Sequence, residues 1–380
     1  MGCKSIFSLI LLAFMLSFSS FSVNAQEAAN AEKTPVAGEK TAETKENKKL
    51  DVTSVIFGHI ADSHEWHFFS AGETHVSIPL PVIIYDKQKG LSVFSSSHIA
   101  EGEAFQGYKL DKHNAMKEKI VNEDGTPLNG YDISMTKNVV SMLLSVVILL
   151  LILTKVGKKY TKNGAMTAPS GMQNAMEVIV VFMRDEVAIP NLGSKANKYF
   201  PLLLTIFFFI WINNLLGLLP GGANFTGNIA CTGFLALFAF IIILGSSNKH
   251  FWSHLLNPPV KPAGIKFLLV PIEILSMFIK PAALMIRLFA NIMAGHIVIL
   301  SVICMIFIFG ALNKFIGIGF VPVSLAFSIF MFMLELLVGA IQAFIFANLT
   351  AVFIGQAIED PHHHDVPPQE YHIGEKEIIA

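Results

Sequence analysis

Long apolar runs separated by short polar ones dominate the second half of the chain. The run "NVVSMLLSVVILLLILTKV", just after Thr136, is long enough to cross a bilayer core as a helix, since about 20 apolar residues suffice. "YFPLLLTIFFFIWINNLLGLLP" and "IACTGFLALFAFIIILG" predict two further spans. Between the first and second spans, residues 165–199 carry Arg184, Lys195 and Lys198 and predict an amphipathic segment along the inner membrane surface. The last two apolar stretches, about 265–312 and 321–358, are too long for upright spans. At 1.5 Å per residue they would extend roughly 70 and 55 Å, against a hydrocarbon core of about 30 Å. They are therefore steeply tilted, or broken at Pro271 and Pro281. The connection "NKFIGIG" is short with two glycines, so the two form an antiparallel hairpin.

The first third has a different rhythm. Residues 1–25 hold Lys4, the apolar run "IFSLILLAFMLSF" and then "SVNA", the pattern of a cleaved signal peptide. The alternative is a first membrane helix, for which the run is short. Residues 26–50 are Ala, Glu, Lys and Thr without an aromatic, and read as a disordered linker. Residues 51–135 predict a small exported polar domain. In it "HVSIPLPVIIYDKQKGLSVFSSS" places two β-prone runs around a polar, Gly-containing turn, a hairpin pattern, and "NEDGTPLNGYD" reads as loop or turn. The stretch "GHIADSHEWHFF" contains His59, His64 and His67. His64 and His67 would share a helical face, and a metal site is one reading. Histidines without a fixed carboxylate or cysteine partner carry little metal signal, so solvated histidines on a docking segment are the preferred reading. The predicted fold class is an all-α polytopic membrane protein, residues 136–358, with about five membrane helices including the long tilted hairpin, plus a small exported N-terminal α+β domain. Residues 359–380, "EDPHHHDVPPQEYHIGEKEIIA", read as a solvated cytoplasmic tail rather than a metal site.

Composition agrees with a membrane protein: of 380 residues 53% are hydrophobic and 14% charged, where a soluble domain has about 25% charged. A net charge of −1 points away from a nucleic-acid partner. Cys3, Cys231 and Cys304 lie far apart, without metal spacing or a disulfide framework, and no cofactor is predicted. Lysines follow the first span at once in "KVGKKYTK", and Lys249, Lys261 and Lys266 flank the third and fourth. By the positive-inside rule the first helix runs from outside to inside, which leaves the C-terminus in the cytoplasm.

One charge lies deep in apolar sequence. In "PAALMIRLFANIMAGH", Arg287 is followed by no Asp, Glu, Lys or Arg until after Leu312. A guanidinium in hydrocarbon costs roughly 3 kcal/mol on insertion scales. Asn291, four residues on, shares its face, and Glu273, Lys280 and Arg287 recur every seven residues as one polar stripe. Glu335 and Gln342 share a face of the partner helix. Folding the hairpin about residue 315 puts Arg287 level with Gln342 and His296 level with Glu335, the second layer nearer the outside. His296 points about half a turn away from Arg287, and Glu273 lies about 21 Å along the helix on the inner side. Such residues can be structural hydrogen bonds between helices, worth about 0.6 kcal/mol each. A charge stripe facing a layered polar helix favours ion conduction instead. Arginine does not deprotonate in proteins, so Arg287 is a fixed charge. Glu273, His296 and Glu335 titrate and suit water-filled paths on either side. Two paths that stop at a fixed charge require a moving carboxylate, and none is evident in this chain, which points to a partner.

At these residues a resemblance becomes specific. "MIRLFANIMAGH" and "LVGAIQAFIFANLTAVFIGQAIED" resemble the two signature helices of subunit a of F-type ATP synthase, and "PLLLTIFFFIWINNLLGLLP" resembles that family's span "P-L-x-x-T-x-F…N-L-x-x-x-L-P". The resemblance covers roughly residues 136–360. It implies that Arg287 matches the invariant arginine, Asn291 its neighbouring asparagine and Gln342 the hairpin glutamine. His296 and Glu335 match outer half-channel positions, with residue types exchanged relative to some bacterial members. It further implies two offset half-channels, c-ring subunits bearing the carboxylate, peripheral-stalk b subunits and the remainder of the ATP synthase as partners, and a non-catalytic, proton-conducting role. The long outer N-terminal domain departs from the family's short N-terminus. A secondary transporter would show broken helices in matched halves or repeats, and none is visible. A membrane zinc protease would want His-Glu-x-x-His, which is absent.

Overall fold

The computed structural model describes residues 56–358 except 57, 59, 72–73, 100–102, 112–117, 165–167, 220–221, 224 and 259–262. The segments read as signal peptide, linker and tail lie outside these residues, as does His59. Before the membrane helices come short antiparallel strands. β1 (Glu65–Ala71) pairs with β2 (Thr74–Pro79). β3 (Pro81–Asp86) pairs with β4 (Gly90–Ser95) on one side and β7 (Gly130–Asp132) on the other, and β5 (Tyr108–Asp111) pairs with β6 (Lys119–Asn122). The expected hairpin is β3–β4. Its turn is closed by Asp86, whose Oδ1 accepts from the Gln88 amide at 2.7 Å, and by Gly90 at φ +80°, a conformation that favours glycine. Val82 and Ile84 point inward and form a core with Phe94, Ile99, Tyr108 and Ile120. "NEDGTPLNGYD" turns at Gly125 as expected, but its last three residues form β7.

The histidine reading needs correction. Residues 65–71 are a strand, so His64 and His67 share no helical face. His64 is buried, not solvated. Its Nδ1 lies 3.7 Å from Glu118 Oε2 and its Nε2 3.8 Å from Asp132 Oδ2. These carboxylates come from distant sequence, which is why the local motif could not reveal them. They approach opposite ring nitrogens, so no single point suits a metal ion. The His64 amide also donates to Glu118 Oε2 at 3.1 Å, and the two residues before it tie the domain to the first membrane helix: the Lys137 amide donates to Ser63 O at 3.0 Å and the Asn138 amide to Asp62 Oδ1 at 3.3 Å. Burial alone would push His64 down, but Asp132 and Glu118 outweigh it and raise the imidazole to about 9. With a folded pKa above the unfolded 6.5, the stabilisation is full below pH 6.5 and is lost as pH rises through about 9. The thermal transition of this domain in the full chain should therefore fall over that window, and His64→Gln should flatten the dependence; an unchanged slope in the variant would refute the assignment.

The membrane part is helical: α1 (Lys137–Asn163), α2 (Met172–Phe182), α3 (Ala196–Leu218), α4 (Ile229–Ser246), α5 (Lys249–Leu256), α6 (Ala263–Leu312) and α7 (Lys314–Ile358). Among the described residues, five stretches are long and apolar enough to cross a membrane. Residues 165–199 differ from a separate surface segment. From Met172 the helix runs nearly unbroken into α3 through a π-helical turn, Met183–Ala188. It is amphipathic as expected, with Arg184 and Asp185 exposed, but Met183, Val187 and Ala188 are buried in the helical core. α6 continues through Pro271 and Pro281 for 50 residues, so breaking is excluded. At 1.5 Å per residue it is about 75 Å long and must lie well off the membrane normal. The hairpin turn is shorter than predicted. Only Asn313 interrupts the helices, its Oδ1 capping α7 by accepting from the Phe315 amide at 2.9 Å. Gly317 lets α7 approach the α6 backbone at Gly310.

α7 packs through small residues at every fourth position: Gly339, Ala343, Ala347, Ala351 and Gly355. Such rows let helix backbones approach closely in membranes. A Cβ at Gly339 would sit 3.3 Å from Asn214 Cβ of α3, and one at Gly355 would collide with the Asn191 carbonyl. The α7 end is held as well: Lys195 Nζ and Asn248 Nδ2 both donate to Ile358 O at 2.9 Å, satisfying a carbonyl that helix geometry leaves open.

Candidate functional site

The apolar face of α6, with Leu284, Leu288 and Ile292 at helical spacing, is buried against the rest of the protein. Arg287 is exposed on the flank of α6, about a quarter turn from that buried face and next to the exposed side chain of Ile286. Its neighbour Asn291 turns toward α7, where its Nδ2 donates to Gln342 Oε1 at 3.0 Å. Gln342 was expected level with Arg287; its hydrogen-bond partner on α6 is Asn291, one turn further along.

The next layer forms as the hairpin symmetry requires. His296 Nε2 lies 3.7 Å from Glu335 Oε1, and Glu335 is 5% exposed. Neither Glu335 carboxylate oxygen has a hydrogen-bond partner among the described residues. A buried polar group in that state needs an explanation beyond packing. Gly295 makes the layer possible: a Cβ there would meet Glu335 Cδ at 2.6 Å. Gly295→Ala should swing the flexible Glu335 side chain aside, leave the fold intact and slow the ion conduction across vesicle membranes that the sequence reading assigns to this layer. Full flux would show that the carboxylate does not act from this position.

Toward the side of the N-terminal domain, buried polar side chains continue this layer. Asn214 Nδ2 donates to Gly339 O at 3.0 Å, one turn from Glu335, and Thr226 Oγ1 donates to Asn214 Oδ1 at 2.9 Å. Asn213 Nδ2 donates to Ser145 Oγ at 2.9 Å. Sequence reasoning missed these residues and Gly295. The adjacent asparagines inside "FFFIWINNLLGLLP", the sole strongly polar residues of that run, were the available signal.

On the other side of Arg287 lies a cavity of about 500 Å³, lined by Glu273, Lys280, His254, Gln356, Met277 and Phe353 among others. Lys280 Nζ stands 5.0 Å from the centroid of the Phe353 ring. Of the sequence-predicted residues, the fold thus pairs His296 with Glu335 and Asn291 with Gln342. It keeps Glu273 apart at the cavity and leaves Arg287 between the two polar regions, facing outward.

Residues 139–355 match the model of the ATP synthase A chain family. Residues 55–139 match a second family, described as a domain of unknown function (DUF8433). Among similar proteins, ATP synthase subunit a of Chloroherpeton thalassium is 43% identical over 251 residues, covering 65% of this chain and 73% of that protein. ATP synthase subunit a of Pelodictyon phaeoclathratiforme is 46% identical over 244 residues, covering 63% and 70%.

Proposed function

The chain belongs to the ATP synthase A chain family, and from that premise we propose that Arg287 divides two half-channels through which protons reach and leave a ring of carboxylate-bearing subunits. The observation that carries this reading is the arrangement about Arg287: the His296–Glu335 layer on one side, the Glu273 cavity on the other, and the guanidinium on a face left open among the described residues.

Each part has a physical task. Protons enter on the side of the N-terminal domain, past Asn214 and Thr226, and pass through His296 and Glu335 to a ring carboxylate. A protonated carboxyl is neutral and can turn through lipid. After nearly a full turn it meets the Glu273 cavity and releases its proton. It then meets Arg287, whose charge favours the ionised form and cannot itself relay a proton. Direct leakage between the paths is thereby blocked. The Asn291–Gln342 hydrogen bond holds the hairpin together beside the arginine. The subunit does no covalent chemistry of its own.

In this reading the N-terminal domain and the His296–Glu335 layer face out of the cytoplasm, and the C-terminus lies inside. Lysines after the first span support that orientation. The chain should co-purify with an oligomeric ring of small apolar subunits and with the peripheral-stalk b subunits. Reporter fusions after Tyr131 and Asp360 should score outside and inside respectively. Isolation without a ring, or both reporters on one side, would overturn the reading.

A further inference from the structure

The sheet formed by β4, β3 and β7 is apolar on both faces. One face, with Val82, Ile84 and Phe94, is the domain core. The other carries Ile83, Tyr85, Leu91, Val93, Tyr131 and Ile133; the two carboxylates of these strands, Asp86 and Asp132, lie on the core side. Tyr85, Leu91, Val93, Tyr131 and Ile133 are between 44% and 65% exposed. An antiparallel sheet with one face in water normally turns polar residues outward. A contiguous apolar face of this kind marks a contact surface.

The order of residues along the strands says which contact. The Ile133 amide donates to Ile83 O at 2.9 Å and the Met135 amide to Pro81 O at 3.1 Å, so the ladder continues almost to the first residue of α1. Strand pairing then sets three rows. Ile83, Val93 and Ile133 lie nearest the membrane helix, Tyr85, Leu91 and Tyr131 come next, and the exposed turn of Lys87, Gln88 and Lys89 is furthest away. Aliphatic, then tyrosine, then lysine is the order of preference from acyl chains through the interface to the phosphates. A protein partner would impose no such gradient relative to α1. The chain's own residues 26–50, rich in Ala, Glu, Lys and Thr, offer little apolar surface to cover the face.

We infer that this face lies on the bilayer surface beside the start of α1, with lipid headgroups and upper acyl chains as its occupant. Four residues from Ile133 to Lys137 span roughly 13 Å when extended, while the interfacial zone reaches only about 5–8 Å beyond the core on each side. The sheet therefore leans onto the membrane instead of standing upright. Aliphatic side chains sit deepest and Lys87 reaches the phosphates, while Lys89 Nζ stays over the Tyr108 ring of the domain core, 4.6 Å from its centroid.

The test uses the complete assembly in phosphatidylcholine–phosphatidylglycerol vesicles. Cys3, Cys231 and Cys304 are replaced by serine, and one new cysteine, Val93→Cys, Leu91→Cys or Gln88→Cys, carries an environment-sensitive fluorophore. With nitroxide-labelled lipid, the labels at 93 and 91 should lose most of their emission and the label at 88 little; aqueous iodide should give the reverse. Equal iodide quenching at all three positions overturns the proposal. So does protection of 93 and 91 from both quenchers, which would assign the face to a protein. Either of the two apolar positions suffices if the other variant fails to assemble.

Discussion

ATP-driven proton pumping falls to the background of uncoupled vesicles when Arg287 is replaced by alanine. The expectation follows from where the side chain is and what it cannot do. It stands on a face of α6 that the other described residues leave uncovered, between the His296–Glu335 layer and the Glu273 cavity. Without the guanidinium, nothing fixed favours the ionised carboxylate between the two paths, and protons pass from one to the other without turning the ring. Alanine removes a charge from an exposed position and breaks no buried contact, so the complex should assemble. Passive proton leak through the membrane sector should rise. The measurement is acidification of inverted vesicles on addition of ATP, with subunit content checked in the same preparation. Normal pumping by assembled Arg287→Ala complexes would end the two-path mechanism.

The second large effect concerns the His296–Glu335 layer. His296 and Glu335 face each other from two helices, so the layer holds one imidazole and one carboxylate. His296→Glu puts two carboxylates there and Glu335→His two imidazoles; each change should impair proton flux strongly. If the chemistry belongs to the pair, the double exchange should recover part of the flux, because the same two groups again meet across the same gap. Independent structural roles predict defects that multiply. Pumping by the double variant at or below the product of the single-variant activities would remove the coupling. Partial rather than full recovery is expected, because Gly295 leaves room for a side chain arriving from α7 and the exchange alters which ring or carboxylate occupies it.

The site was legible to the extent that periodicity governs it. A seven-residue stripe and an antiparallel hairpin are arithmetic, and they were enough to set His296 against Glu335 and to separate Glu273 from them. Finer detail follows from contacts that arithmetic cannot see. Gln342 bonds Asn291 because the residue on the uncovered face points away from α7. Asn214 belongs beside the site because Gly339 admits it, and nothing in the α3 sequence names its partner. Pro271 and Pro281 do not break α6, since a proline removes one hydrogen bond locally and tertiary packing can carry the helix through. His64 was misread for a related reason. Its carboxylates come from β-domain segments far along the chain, so the local pattern showed a histidine cluster where the fold has an ion pair.

The uncovered face of α6 also bears on biogenesis. Lipid satisfies the apolar side chains there, but it does not satisfy Arg287, which in a newly inserted, solitary chain confronts hydrocarbon. A mismatch of roughly 3 kcal/mol disfavours that orphan by about a hundredfold relative to a chain whose charge has met its counterpart. In the proposed complex the carboxylate of the neighbouring ring relieves this cost, so membrane insertion of the chain and its assembly are coupled energetically through one side chain.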